Sequence, residues 1–165
     1  MRVETGRFGT LEVDETTVFS FPMGLLGFAR HKRFVVLDHR DDSPFKWLQC
    51  VEDGQLAFII SDPLYFMRDY HVDVRRSELA IIAPDRAEDL IVSVIMTVPA
   101  DPQEMSANLL APLIFNMENR LAMQYVLTDH RYPVKHYVLR EGEPTLARMP
   151  EGQDAAPERR SISLR

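Results

Sequence analysis

Residues 90–116 read LIVSVIMTVPADPQEMSANLLAPLIFN, and their spacing decides the fold class. Leu90, Val92, Val94, Met96 and Val98 fall on one face at period two, while Ile91, Ser93, Ile95 and Thr97 fall on the other, half-polar face. The pattern is that of a β-strand with one face in a core. Pro99 and Pro102 lack the N–H that a ladder needs, and Ala100-Asp101 between them has turn character, so the strand stops there. The chain re-enters the sheet at Asn108, where an apolar run (109–115) is bounded by Asn108 and Asn116 and interrupted by Pro112. Proline in such a run places it at a sheet edge or a bulge. Two readings stay open: the asparagines are turn residues closing a short edge strand, or the uncharged edge is kept available for a partner strand.

Outward from this unit, most of the chain repeats short alternating segments. Residues 3–13 read as a hairpin or bulged strand broken by Gly6 and Gly9, and 16–21 as a β-branched and aromatic strand. The stretch FPMGLLGF (21–28) is punctuated as a loop yet carries Met23, Leu25, Leu26 and Phe28. Loops are ordinarily polar, so these four side chains either plug one end of the sheet or are displayed for contact. No Lys-Ser/Thr follows the glycines, which excludes a phosphate loop. Further strands fall at 34–38, 44–50 and 56–61. The second of these holds the only tryptophan, Trp47, which with Phe45 reads as core. Asp69, His71 and Asp73 alternate opposite Tyr70, Val72 and Val74; this is a solvated strand face, and no metal is predicted. Residues 77–83 form a short helix capped by Ser77 or a short strand, and alternation resumes at 121–127 and 134–139.

With 165 residues the chain is one domain's worth. The formal charge of −6 argues against binding a nucleic-acid backbone directly, because that affinity comes from Lys and Arg. The sole cysteine, Cys50, cannot form an internal disulfide and lies in an apolar context, as a buried thiol does. Signal-peptide and membrane-spanning patterns are absent, which leads us to expect a cytoplasmic protein without membrane contact, working as a monomer. Beyond Glu141 the composition turns to Glu, Pro, Gly, Ser, Arg and Gln without a period. We therefore expect a folded domain over 1–140 and a disordered C-terminal tail over 141–165. The tail has five acidic and four basic residues, which leaves a net −5 on the folded part. No GxSxG, HExxH, CxxC, GxGxxG or P-loop pattern occurs, no cofactor is implied, and the five histidines are scattered, so binding is favoured over catalysis.

Six stretches in order, GLLGF (24–28), PFKWLQC (44–50) with Glu52 following, LAFIISDP (56–63), FMRDY (66–70), TVPADP (97–102) and ANLLAPLIFN (107–116), resemble the flagellar assembly factor FliW family. Gln124 and Tyr132 fit as well, and the resemblance spans about residues 2–139. Leu26 and Arg68 stand where the family commonly has proline, Cys50 where it commonly has serine, and 75–89 looks shortened. The resemblance implies a mainly β, small antiparallel β-barrel-like single domain with at most one or two short helical turns. It also implies a protein that is not an enzyme, binds flagellin, and sequesters the RNA-binding translational regulator CsrA. On that reading the apolar candidates for flagellin are Met23, Leu25, Leu26, Phe28, Asn108, Leu109, Pro112 and Asn116. Acidic candidates for a basic regulator are Glu52, Asp53, Asp62 and Asp69, with Phe66 and Tyr70 of the FMRDY stretch completing the contact set. The competing class is a small β-barrel enzyme or ligand-binding protein using the barrel mouth.

Overall fold

A computed structural model describes residues 1–129, 131–139 and 161–165. The alternation at 90–97 becomes strand β8 (Leu90–Thr97), whose residues Leu90, Val92, Val94 and Met96 are buried while Ile91 and Thr97 are exposed. Val98, expected on the core face, lies past the strand's end and is exposed. Along one edge β8 pairs antiparallel with β6 (Ala57–Ser61); along the other it pairs with β9 (Ser106–Ala107) and β10 (Leu113–Asn116). The sheet continues from β6 through β5 (Phe45–Cys50) and β4 (Arg33–Asp38) to the two-residue β3 (Phe19–Ser20). On the other side β10 is followed by β11 (Ala122–Gln124), and β12 (His136–Tyr137) pairs with β9. The N-terminal segment is a separate hairpin of β1 (Arg2–Thr5) and β2 (Gly9–Glu12). The long stretch after β6 contributes β7 (Val72–Val74).

The 108–116 segment is not an edge strand. With β8 on one side and β11 on the other, β10 is internal, and Pro112 sits just before it, where residues 108–112 loop out between β9 and β10. Both asparagines hold turns: Asn108 Oδ1 accepts from the Ala111 N–H at 3.1 Å, and Asn116 Oδ1 accepts from Glu118 N–H at 3.0 Å. Asn116 is fully buried, and its amide donates to the Ile82 carbonyl at 2.9 Å, satisfying a group that burial would otherwise make costly.

Three expectations about architecture are corrected. Among the described residues the sheet curls but does not close into a barrel: its ends meet in one isolated bridge between Ser20 of β3 and Leu121, just before β11, where Ser20 N–H donates to the Arg120 carbonyl at 2.8 Å. A two-residue end strand offers too few backbone groups for a closing ladder, and part of the stretch expected as strand at 16–21 is instead a 3₁₀ turn, Glu15–Thr17. Helical turns also exceed the one or two expected. Among the described residues there are five 3₁₀ segments, the longest being Arg76–Ile82, kinked at Leu79. Asp14, Asp62 and Asp101 cap three of them by accepting the N–H two residues on, and Pro63 and Pro102 open two, all signals that alternation does not report. The expected tail is corrected at its far end, where Ile162–Leu164 forms β13, parallel to β7; residues 141–160 of it lie outside the described residues.

Three apolar clusters pack on the sheet, a small one of Val3, Val13, Val18 and Val35 and two larger ones. The larger of these joins Leu90, Val92, Val94 and Met96 of β8 to Tyr70, Val72, Leu79, Ile82 and Ile162, and the second packs Phe21, Phe34, Leu48, Ile60, Leu113 and Phe115 inside the curl. Cys50 is fully buried in the second, where burial raises its thiol pKa. Trp47 is 9 % exposed and pins the first hairpin to the sheet. The Arg7 guanidinium lies 4.4 Å from its ring centroid, Phe8 meets it edge-on at 5.5 Å, and its indole N–H donates to His39 Nδ1 at 3.1 Å. Trp47→Ala is expected to cost about 3–5 kcal/mol, read by urea unfolding followed by circular dichroism. A cost under about 1 kcal/mol, at the bottom of the ordinary range for point mutants, would show that the hairpin does not depend on the indole.

Candidate functional site

The loop 21–28 is built to separate its apolar residues. Gly24 and Gly27 both adopt positive φ, at +65° and +84°, and a Cβ on Gly24 would sit 2.7 Å from the Ala29 Cα. The resulting turns aim Leu25 into the inner cluster and leave Met23 at 67 % and Leu26 at 63 % exposure. Phe28 rests edge-on against Phe58 at 5.2 Å and is partly exposed. The loop is also clamped from outside. Leu26 N–H donates to Gln124 Oε1 at 2.9 Å, and Gln124 Nε2 donates to the Ala111 carbonyl at 3.1 Å. One side chain thus ties the displayed loop to the 108–112 excursion, bringing together the two apolar stretches singled out in the sequence. They do different work: Leu109, Pro112 and Asn116 are buried and Asn108 is half-buried, so that stretch supports the surface.

A groove of about 550 Å³ opens where the two ends of the curled sheet approach each other. Phe19 of β3 and Phe115 of β10, edge-on to each other at 4.9 Å, line it with Ile60 and Ile91, and Lys46 and Arg120 stand at it as cations. Ile91, Tyr65 and Met117, all lining it, are 48 %, 42 % and 37 % exposed, so large apolar side chains are displayed here among polar ones. These residues were missed in the sequence. Their available signal was Ile91 on the polar face of β8, an apolar side chain that the core had no use for.

The acidic candidates do not form one patch. Glu52 and Asp53 sit in the β5–β6 turn, whereas Asp62 follows the opposite end of β6, about 17 Å away for a five-residue strand. Each also holds the chain. Glu52 Oε1 accepts the Lys32 and Arg33 N–H groups, Asp53 accepts from Gln55 N–H and lies 3.6 Å from His31 Nε2, and Asp62 caps the turn at Leu64. Asp69 is exposed, and Phe66 and Tyr70 are buried, with the Tyr70 hydroxyl donating to the Leu109 carbonyl at 2.8 Å. His71 and Asp73 contact Ser163, and no metal-ligand cluster occurs among the described residues. Nor is any helix among them long and apolar enough to cross a membrane.

Asp62 lines the groove, and burial raises its pKa against the lowering effect of the Leu64 N–H. A folded-state pKa above the unfolded one means that the charged carboxylate opposes folding at neutral pH, an effect relieved as pH falls towards about 4. Asp62→Asn keeps the acceptor for Leu64 and removes the charge. Its melting temperature is expected to equal or exceed that of the native chain at pH 7, with the difference shrinking at pH 4. A lower melting temperature at pH 7 would show that the carboxylate stabilises the fold.

Comparison with known proteins matches residues 2–138 to the model of the FliW protein family. The flagellar assembly factor FliW of Alkaliphilus metalliredigens is 37 % identical over 142 residues, covering 86 % of this chain and 88 % of that protein. That of Caldicellulosiruptor saccharolyticus is 40 % identical over 131 residues, covering 79 % and 86 %. Among solved structures, the crystal structure of the flagellar assembly factor FliW superposes with a TM-score of 0.78 at 30 % identity, covering 86 % of this chain and 99 % of that one.

Proposed function

The chain belongs to the FliW family, whose members are not enzymes, and on that premise we propose that it is a flagellar assembly factor acting by two-partner binding. It holds flagellin at its apolar surface and antagonises a CsrA-type translational regulator in the cytoplasm, so that free flagellin releases it to act on the regulator. The observation that carries this reading is the loop 21–28, where a fixed backbone displays Met23 and Leu26 beside Phe28. A rigid display of large apolar side chains suits an amphipathic helix, the form expected of an unassembled flagellin end. The regulator, basic enough to hold RNA, suits the acidic turns at Glu52-Asp53 and at Asp62 and Asp69. A net −5 over residues 1–140, with its acidic turns apart from one another, is a poor mimic of a polyanion, so the regulator is gripped beside its RNA groove rather than in it.

Because the two surfaces differ in chemistry, the partners are coupled rather than mutually exclusive, and each weakens the other by the same factor. Titrating flagellin into a preformed complex with fluorescent regulator tests this. Saturation of regulator release at a finite residual affinity is expected; release that continues without limit means overlapping sites. A ternary complex with both affinities unchanged would sink the exchange. The groove at the sheet ends favours a second reading, a small apolar ligand held against Ile91 and the Phe19–Phe115 pair. A thermal-shift screen separates the two, since a ligand at a hundred times its dissociation constant adds about 2.7 kcal/mol of stability.

A further inference from the structure

The family match ends at residue 138, yet residues 161–165 are built into the fold. β13 runs parallel to β7 in the register Ile162 to Val72, Ser163 to Asp73 and Leu164 to Val74. The ladder is extended at both ends: Val72 N–H donates to the Ser161 carbonyl at 2.8 Å, Arg165 N–H to the Val74 carbonyl at 2.8 Å, and Arg76 N–H to the Arg165 carbonyl at 2.9 Å. Ile162 is buried in the larger apolar cluster and Leu164 packs against it. On the outer face Ser163 Oγ donates to Asp73 Oδ1 at 3.1 Å, and so accepts from His71 Nε2 at 2.8 Å, because a hydroxyl has one proton to give. Arg165 Nε donates to the same carboxylate at 2.9 Å. The alternating Asp69-His71-Asp73 face is in part a set of polar contacts for this strand.

β7 pairs with no other strand among the described residues. Without residues 161–165 it would present unpaired N–H and C=O groups of Val72 and Val74 beside an apolar slot, which is the template that strand addition uses. The resident strand is short, and it is parallel, the weaker of the two pairings per residue. We propose that the edge of β7 is a strand-addition site for a partner protein's extended segment with the pattern apolar–polar–apolar–basic. This chain keeps the site filled with its own residues 161–165, and a partner segment enters by replacing them. The two apolar side chains take the Ile162 and Leu164 positions, and the basic residue takes that of Arg165 on Asp73. The site is independent of the loop and groove described above.

The test uses the full chain and a fluorescein-labelled peptide of residues 159–165, RRSISLR, followed by anisotropy. In the full-length variant Ile162→Asp/Leu164→Asp the resident strand is released, and the peptide is expected to bind saturably, at least tenfold tighter than to the native chain. Adding Asp73→Ala to that variant is expected to weaken binding, and a scrambled peptide to show none. A variant with native circular dichroism that fails to bind the peptide would overturn the proposal, as would equal binding to both proteins. If the variant does not fold, hydrogen exchange on the native chain decides. The Val72 and Arg76 amides, which donate to the Ser161 and Arg165 carbonyls of the resident strand, are expected to exchange at least tenfold faster than those of Val94 and Leu113; equal protection would mean that the strand leaves only when the whole fold opens, and would overturn exchange.

Discussion

Phe21→Ala is expected to destabilise the protein by about 3–5 kcal/mol, the range for deleting a fully buried phenylalanine. Phe21 is 0 % exposed and meets Phe34 edge-on at 5.2 Å and Phe115 at 5.7 Å. Phe34 belongs to β4 and Phe115 to β10, strands near opposite ends of the sheet path, so the ring is a wedge across the gap that backbone pairing leaves open. Each such aromatic pair adds about 0.5–1.5 kcal/mol beyond area burial. Against a typical stability of about 5–15 kcal/mol the loss is large enough to populate the unfolded state under mild denaturant. Urea unfolding at 25 °C measures it, with Phe21→Leu as the conservative comparison. A cost below about 2 kcal/mol, under that expected for a rigid buried site, would mean that the two sheet ends close over the cavity.

That wedge also shows why closure was not legible from alternation. Period-two patterning assigned β4, β5, β6 and β8 nearly to the residue, because each carries enough side chains for one face to be fixed by burial. It says nothing of how many backbone groups two distant ends share, and with β3 only two residues long that number decides open against closed. The position of β10 was misjudged for a related reason. Pro112 was a true marker of irregular backbone, but the irregularity lies before the strand, and the alternation at 121–127 marks a strand there without naming β10 as its neighbour. The helical turns were legible as Asp-x-N–H caps and Asp-Pro openings, a local chemistry separate from hydrophobic period.

The candidate surface was half legible. Four apolar residues in a glycine-punctuated loop are unusual enough to mark 21–28, and only the positive-φ glycines reveal which of them point out. Conversely, β13 was invisible: five ordered residues after a long polar stretch carry two apolar side chains, too few for a period, and their partner strand lies about ninety positions back in the chain.

The sharpest test of the displayed loop is the double variant Met23→Asp/Leu26→Asp. Both side chains are mostly in water, so replacing them removes little burial, and the melting temperature is expected to stay within about 2 °C, the range of ordinary surface substitutions. The backbone geometry resides in Gly24, Gly27 and the Leu26 N–H to Gln124 bond, none of which the substitutions touch. If flagellin docks an apolar helix face here, each carboxylate leaves a charge opposite a dry partner surface. Central contacts of this kind are worth about 2 kcal/mol or more and do not add fully, so affinity is expected to fall at least ~30-fold. Leu25→Asp is the control in the other direction: Leu25 is buried in the inner cluster, and its replacement is expected to lower stability. Regulator binding to the double variant, measured alone, is expected to change little, because Glu52, Asp53, Asp62 and Asp69 are all kept. Flagellin affinity within about threefold of native, with the fold intact, would move the docking surface away from the loop and towards the groove at Phe19 and Ile91.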